Sequence, residues 1–424
     1  MTRGLWSVLL QAAGSAATLG AAALVAGRFG LAAQGEFGLL RSWVDALTAA
    51  LALGLPQGLL HLQYREGLAA STLLAWTRRY LLVVTLAMLA GAGLLWRHAP
   101  LAPFTSGAQA AVIALALPFA VAHLLWRSIL LRGWGVVPYA AVTSLPALAI
   151  LAGVAGLCIA GRAQGFEWVL LAAAALSAGA SGMLVRRRPA PADAVSADGV
   201  VAVAPVEPSR PVPTRILWSV SLQTWVQGLT AALLPALLLS VAGWRGASLA
   251  DIGLVSLGLQ VYLLFAVLAA YSAPMIYDRV ARGDEASPAL GALAAWRDRV
   301  GVPALCLVCA IALLGPWGVA RLAPSLAAQV LPTTLLAGAG LVALAVRLLW
   351  TLLQASGQVR ELSVQAVWRL LVACSLAALL VPGLGAPLAV PLALLGVELL
   401  TLARLAACLT RPPGRRPSVT RARS

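Results

Sequence analysis

The chain has 424 residues, of which 61% are hydrophobic and 10% charged. A soluble domain is nearer a quarter charged, so the composition excludes a water-soluble globule and indicates a chain built for a bilayer, with room for many spans of roughly 20 residues each. The formal net charge of +16 does not by itself mark a nucleic-acid binder, and the positions of the charges argue against one. Apolar runs predict twelve membrane spans, at about 5–26, 37–62, 80–96, 108–131, 137–160, 167–185, 214–241, 252–274, 300–317, 327–354, 362–382 and 386–408.

The first run opens with Leu5-Trp6-Ser7-Val8-Leu9-Leu10-Gln11, and the seventh with Leu217-Trp218-Ser219-Val220-Ser221-Leu222-Gln223. Six of seven positions agree at an offset of 212, half the chain length. Ser7, Gln11, Ser15 and Thr18 share one helical face, and Ser219, Gln223, Gln227 and Thr230 repeat it at the same spacing. Each half therefore begins with an apolar helix bearing one polar stripe, as if the two faced each other across a wet space. Later landmarks also recur: Phe37-Gly38 with Ile252-Gly253, Pro56 with Pro274, Trp76 with Trp296, Leu125-Trp126 with Leu349-Trp350. Six spans per unit is an even number, so the repeats are expected to be parallel, related by an axis along the membrane normal. The expected organisation is an all-α polytopic protein with six-helix bundles at 1–185 and 214–408. A Pro-rich cytoplasmic linker, 186–213, and a basic tail, 409–424, complete it.

All thirty basic residues are Arg. On the twelve-span map, 21 fall in the tails and the loops on the N-terminal side, Arg127 and Arg132 among them, and 5 on the opposite side. That bias places both termini in the cytoplasm. The remaining four, Arg41, Arg347, Arg369 and Arg404, lie inside spans. The first run is too long for a signal-peptide core, and its repeat partner sits mid-chain, so no cleavage is expected. The five cysteines all lie in apolar runs and read as small buried hydrophobes.

Polar groups at membrane depth are the candidate site. An unpaired Arg at mid-bilayer costs roughly 2.5–3.5 kcal/mol on insertion scales. Arg41 has Asp45 four residues on, so the two can pair on one face, or Asp45 can hold Arg41 ready for an anion. Arg347 and Arg369 have no partner in their own helices and are candidate substrate ligands or snorkelling groups. Glu398 lies six residues before Arg404, on the opposite helix face, and reads as a hydrogen-bond acceptor or a proton carrier. Gln11, Ser15, Gln223 and Gln227 are expected to line a cavity. His61 and His123 have no metal-ligand partners at useful spacing and read as structural, and no metal is expected. Pro56 and Pro274 would break two helices at matching sites and serve as hinges.

The segment Val25-Ala-Gly-Arg-Phe-Gly-Leu-Ala-Ala-Gln-Gly-Glu-Phe-Gly-Leu-Leu, followed by Ala52-Leu-Gly-Leu-Pro-Gln-Gly, resembles the opening of Wzx-type polysaccharide flippases of the multidrug/oligosaccharidyl-lipid/polysaccharide exporter superfamily. Arg28, Gly30, Gly35, Phe37, Gly38, Gly54 and Pro56 carry the match, over roughly the first 65 residues. The resemblance implies a V-shaped, MATE-like bundle that alternates between inward-open and outward-open states in a bacterial inner membrane. The implied cargo is an undecaprenyl-pyrophosphate-linked oligosaccharide, with Arg28 and Arg41 holding the pyrophosphate and Arg347 and Arg369 as counterparts in the second half. A polysaccharide polymerase and chain-length machinery are the implied partners, with membrane lipids and no nucleic acid.

Physical chemistry supports such a carrier independently. The lipid tail can stay in hydrocarbon, so only the headgroup needs shelter, and Arg binds phosphate oxygens bidentately while staying charged. With no Lys in the chain a nucleotide-binding P-loop is excluded. No cofactor is expected; energy would come from an H+ or Na+ gradient, the membrane potential or consumption of cargo on the far side, with Asp45 and Glu398 as the candidate coupling acids. A lipid II or drug exporter of the same superfamily is the alternative. An integral membrane glycosyltransferase or polymerase is a third, disfavoured by short, nearly bare outward loops; no enzymatic activity is expected.

Overall fold

The computed structural model describes residues 2–64, 66–97, 106–187, 212–281, 330–355 and 359–410. The first half contributes α1 (Thr2–Phe29), α2 (Leu31–Ala52), α3 (Leu55–Tyr64), α4 (Ala70–Arg97), α5 (Gly107–Trp134), α6 (Val136–Ala160) and α7 (Phe166–Arg186). The second contributes α8 (Thr214–Trp244), α9 (Leu249–Ala281), α10 (Val330–Ala355), α11 (Val359–Leu384) and α12 (Ala386–Thr410). The described residues contain helices and no strand. The expected ninth span, 300–317, lies outside them, as do 188–211 of the expected linker and the tail from 411 onward.

Among the described residues nine helices are long and apolar enough to cross a membrane, or ten if the bent pair α2–α3 counts as one. Their outward faces confirm the solvent. On α4, Leu82, Val83, Leu86, Leu89 and Leu94 are exposed, a face that water would not tolerate and acyl chains accept. This is a multi-span helical membrane protein.

α1 packs along α6, and α5 lies between α4 and α7. Phe37, Leu40 and Val44 of α2 join Val25, Ile150, Phe166 and Leu170 in a common core. In the second half α9 packs on α10, α10 on α12, and α11 on both α8 and α12. The two halves meet mainly through α2 on α8 and α9, and α3 on α8. Two indole hydrogen bonds cross this seam: Trp43 Nε1 donates to Ser240 Oγ (3.0 Å) and Trp225 Nε1 to the Ala50 carbonyl (3.2 Å).

The expected hinges differ in form. The second span does bend, by 49° between α2 and α3. The break falls at Leu53 (φ 48°) and Gly54 (φ 69°), two successive left-handed residues. Pro56 is the second residue of α3, where its missing N–H and fixed φ suit a helix start. At Pro274 the second expected hinge does not interrupt the chain's helix: α9 runs as one helix through Leu249–Ala281.

Candidate functional site

A cavity of about 340 Å³ lies within the first half, lined by α2, α5, α6 and α7. Its polar walls are Arg41, Asp45, Thr48, His123, Arg127 and Ser177. Spacing explains the first three: Arg41, Asp45 and Thr48 are one turn apart along α2 and share a face. His123 and Arg127 repeat that relation on α5.

Arg41 reaches α1, where its Nη2 donates to Thr18 Oγ1 at 3.1 Å. Its Nη1 is buried without a hydrogen-bond partner. Asp45 lies within electrostatic reach of Arg41, but among the described residues the ion pair within 4.0 Å is Arg369–Glu398. The guanidinium is therefore tethered at one end and open at the other. Thr48 Oγ1 is likewise buried and unpartnered. Arg127, assigned by its sequence position to a cytoplasmic loop, is corrected here: it stands inside α5 and faces the cavity. With Arg41, Arg127 and Asp45 ionised, the cavity carries an excess of one positive charge.

His123 is 6% exposed, and Arg127 lies within electrostatic reach of it. Its Nδ1 is 2.8 Å from Ser181 Oγ and 3.3 Å from the Ser177 carbonyl. Its Nε2 is buried and unpartnered. Neither His123 nor Arg127 is a site residue in the sequence reading; their one-turn spacing within a long apolar run is the available signal.

The second half holds a different arrangement. Glu398, fully buried, accepts hydrogen bonds from Tyr262 Oη (2.6 Å) and Arg369 Nε (2.9 Å). Arg369 Nη2 also donates to Glu398 Oε1 and to Tyr262 Oη. Arg347 is within electrostatic reach of all three, and its Nε has no partner. Arg369 and Glu398, read from the sequence as a substrate ligand and a coupling acid, thus engage each other within the core that Tyr262, Leu370, Ala373 and Val397 help to build. Such a pair stands only because each charge offsets the other's desolvation. Arg404 lies instead over the Trp368 ring, 4.6 Å from its centroid.

The remaining candidates are dispersed. Arg28 is exposed in the last turn of α1, away from Arg41. Ser15 Oγ donates back to the Gln11 carbonyl (3.2 Å), while Thr18 faces Arg41. On α8, Gln227 Nε2 donates to Ser363 Oγ (3.4 Å), and Ser363 Oγ to the Gln223 carbonyl (3.3 Å). Bonds from the two stripes thus reach α2, through Thr18, and α11, through Gln223 and Gln227. His61 is half-buried in the last turn of α3. Among the described residues no three His, Cys, Asp or Glu side chains come together as a metal site, and Cys158 and Cys374 are free and half-buried.

No protein-family model and no curated protein matches the sequence. The fold, in contrast, is shared with solved membrane transporters. An inward-facing multidrug resistance MATE family transporter of the MOP superfamily superposes with a TM-score of 0.65 at 14% identity, over 94% of this chain and 96% of that one. A MATE protein in complex with Br-NRF gives 0.62 at 15% identity, over 96% and 95%. A MOP superfamily transporter from Pyrococcus furiosus, described as having a binding pocket of reverse polarity, gives 0.57 at 16% identity, over 97% and 96%. The architecture is MATE-like, and likeness at these identities speaks for the fold alone.

Proposed function

We propose that the protein is a flippase, carrying a lipid-linked oligosaccharide with a diphosphate headgroup, in the resembled family an undecaprenyl pyrophosphate, across the bacterial inner membrane. One observation carries this reading: Arg41, tethered to Thr18, presents a buried, unpartnered Nη1 in a cavity that also holds Arg127. A buried donor left without an acceptor costs about 1–3 kcal/mol, more when charged. An anion entering the cavity would supply that acceptor. Phosphate oxygens suit it because two guanidiniums can each offer a planar fork.

The fold supports alternating access, since both inward-facing and outward-facing MATE transporters superpose on this chain. A drug exporter is the second reading, favoured by the same multidrug relatives. A cationic drug would want excess carboxylate, however, and here two Arg face one Asp. The reverse-polarity description of the Pyrococcus furiosus relative is consistent with one fold serving cargo of either charge. With no nucleotide-binding motif, transport would run on an ion gradient, with Asp45 as the coupling acid in the cavity. Both termini would face the cytoplasm, and no bond need be made or broken by the protein.

The test is deletion of the gene followed by analysis of lipid-linked intermediates. Full-length oligosaccharide trapped on the cytoplasmic leaflet, rescued by the wild-type protein and not by Arg41→Ala, is the expected result. Normal delivery of the glycan to the outer leaflet by Arg41→Ala would overturn it.

A further inference from the structure

The tautomer of His123 follows from its neighbours. Ser181 Oγ donates to the Ser177 carbonyl at 2.7 Å, which uses its single proton. Nδ1 of His123 therefore meets two acceptors, Ser181 Oγ and the Ser177 carbonyl oxygen, and must itself carry hydrogen. In the neutral ring Nε2 is then a bare acceptor. It is buried, it has no partner, and its residue lines the cavity with Arg41 and Arg127.

The unsatisfied groups consequently ask for two things at once. Arg41 Nη1 needs an acceptor, whereas His123 Nε2 needs a donor. A plain anion supplies only the first. A protonated phosphate could supply both, but two guanidiniums beside it favour the fully ionised form, which leaves no proton to give. A hydroxyl carried next to the phosphate is the donor that such a ligand can bring. Asp45 and Thr48, on the facing wall, are further partners for such hydroxyls. The cavity of about 340 Å³ is at the small end for ligand pockets, room for a diphosphate and one sugar rather than a whole oligosaccharide.

We infer that His123 is a specificity-determining residue, accepting a hydrogen bond from a hydroxyl of the sugar joined directly to the diphosphate. The inference rests on the proposal that this cavity takes a diphosphate headgroup. It adds that the cavity distinguishes a glycosylated lipid diphosphate from a bare one, so the reaction that supplies this protein is one that leaves a sugar joined to the lipid through the diphosphate.

The experiment measures binding to the full-length protein in nanodiscs of two probes of equal charge, a polyprenyl diphosphate capped as its methyl ester and the same lipid diphosphate bearing one hexose in place of the methyl. One net hydrogen bond is worth about five- to tenfold in affinity, so the wild type should prefer the hexosyl lipid by about that ratio, and His123→Phe should bring the ratio close to one. His123→Gln, which keeps an acceptor oxygen, should restore part of it. Equal wild-type affinities for the two probes would overturn the inference while leaving the diphosphate reading standing. A ratio that survives His123→Phe, with both probes weakened alike, would overturn it as well. Failure of the wild type to bind either probe would overturn the diphosphate reading itself, and the inference with it.

Discussion

Gly35 on α2 and Gly253 on α9 meet backbone to backbone, and they do so reciprocally. A Cβ on Gly35 would overlap the carbonyl oxygen of Leu249, one turn before Gly253, and a Cβ on Gly253 would overlap that of Leu31, one turn before Gly35. Reciprocal contact of this kind is what a two-fold axis produces. It aligns Gly35 with Gly253, at an offset of 218, three residues out of register with the Gly38–Gly253 match read from the sequence. Gln34 and Ser256 are bonded beside this crossing, Nε2 to Oγ at 3.4 Å. Small residues let helices in a bilayer approach until dispersion and polar contacts hold them.

Gly35→Ala should therefore destabilise the protein by about 1–3 kcal/mol, the usual penalty for overpacking, because the obstacle is backbone and cannot rotate away. Gly27→Ala, on α1 with nothing within 4 Å, is the matched control and should cost little. Unfolding midpoints of the purified variants in detergent decide it; equal midpoints would show that the crossing relaxes freely.

The spans are legible because hydrocarbon demands long apolar runs, and α1 through α8 follow those runs, although α4 begins at Ala70, ten residues before the expected start at 80. What hydropathy could not separate is the environment at the end of a run. Arg127 looks like a loop residue because it precedes Arg132 near the limit of an apolar stretch, yet α5 continues to Trp134 and turns Arg127 onto the cavity. The bonding of Arg369 was illegible for another reason. Its partners Tyr262 and Glu398 stand 107 and 29 residues away, and no periodicity within one helix reports a contact between three. The α2–α3 break was expected at Pro56 but belongs to the left-handed pair just before it, whose second member, Gly54, packs where a Cβ would overlap the Ser221 carbonyl.

The buried Arg369–Glu398 pair yields a sign test. Glu398→Leu alone strips a fully buried partner from Arg369 and should destabilise by about 3–5 kcal/mol. The double variant Glu398→Leu with Arg369→Met removes both charges and should recover most of that loss. A double-mutant cycle on detergent unfolding measures the coupling. Additive losses would mean that the two residues do not depend on each other.

Leu53 holds φ at 48°, a conformation that costs a side-chain-bearing residue roughly 1–2 kcal/mol. Gly at this position relieves that cost but enlarges the unfolded ensemble. Leu53→Gly should accordingly change stability little, within about 1 kcal/mol either way. Leu53→Val, β-branched and poorly suited to this conformation, should lower the unfolding midpoint clearly. A Val variant as stable as wild type would show that the bend is soft.

Arg41 divides its guanidinium between two tasks, and a conservative substitution separates them. Nη2 holds Thr18 on α1 while Nη1 is left for the cavity. A Lys ammonium preserves the charge but lacks the planar fork, so it cannot keep the tether and present a second donor in the same geometry. Arg41→Lys should thus bind a polyprenyl diphosphate in nanodiscs about tenfold more weakly than wild type or worse, in line with one lost hydrogen bond to a charged acceptor. Thr18→Val should weaken binding less, because it frees the guanidinium without removing it. Raising the salt concentration should narrow the gap only slightly, since a buried site is poorly screened. Wild-type affinity in Arg41→Lys would mean that charge alone suffices, and that the orientation imposed by Thr18 plays no part in recognition.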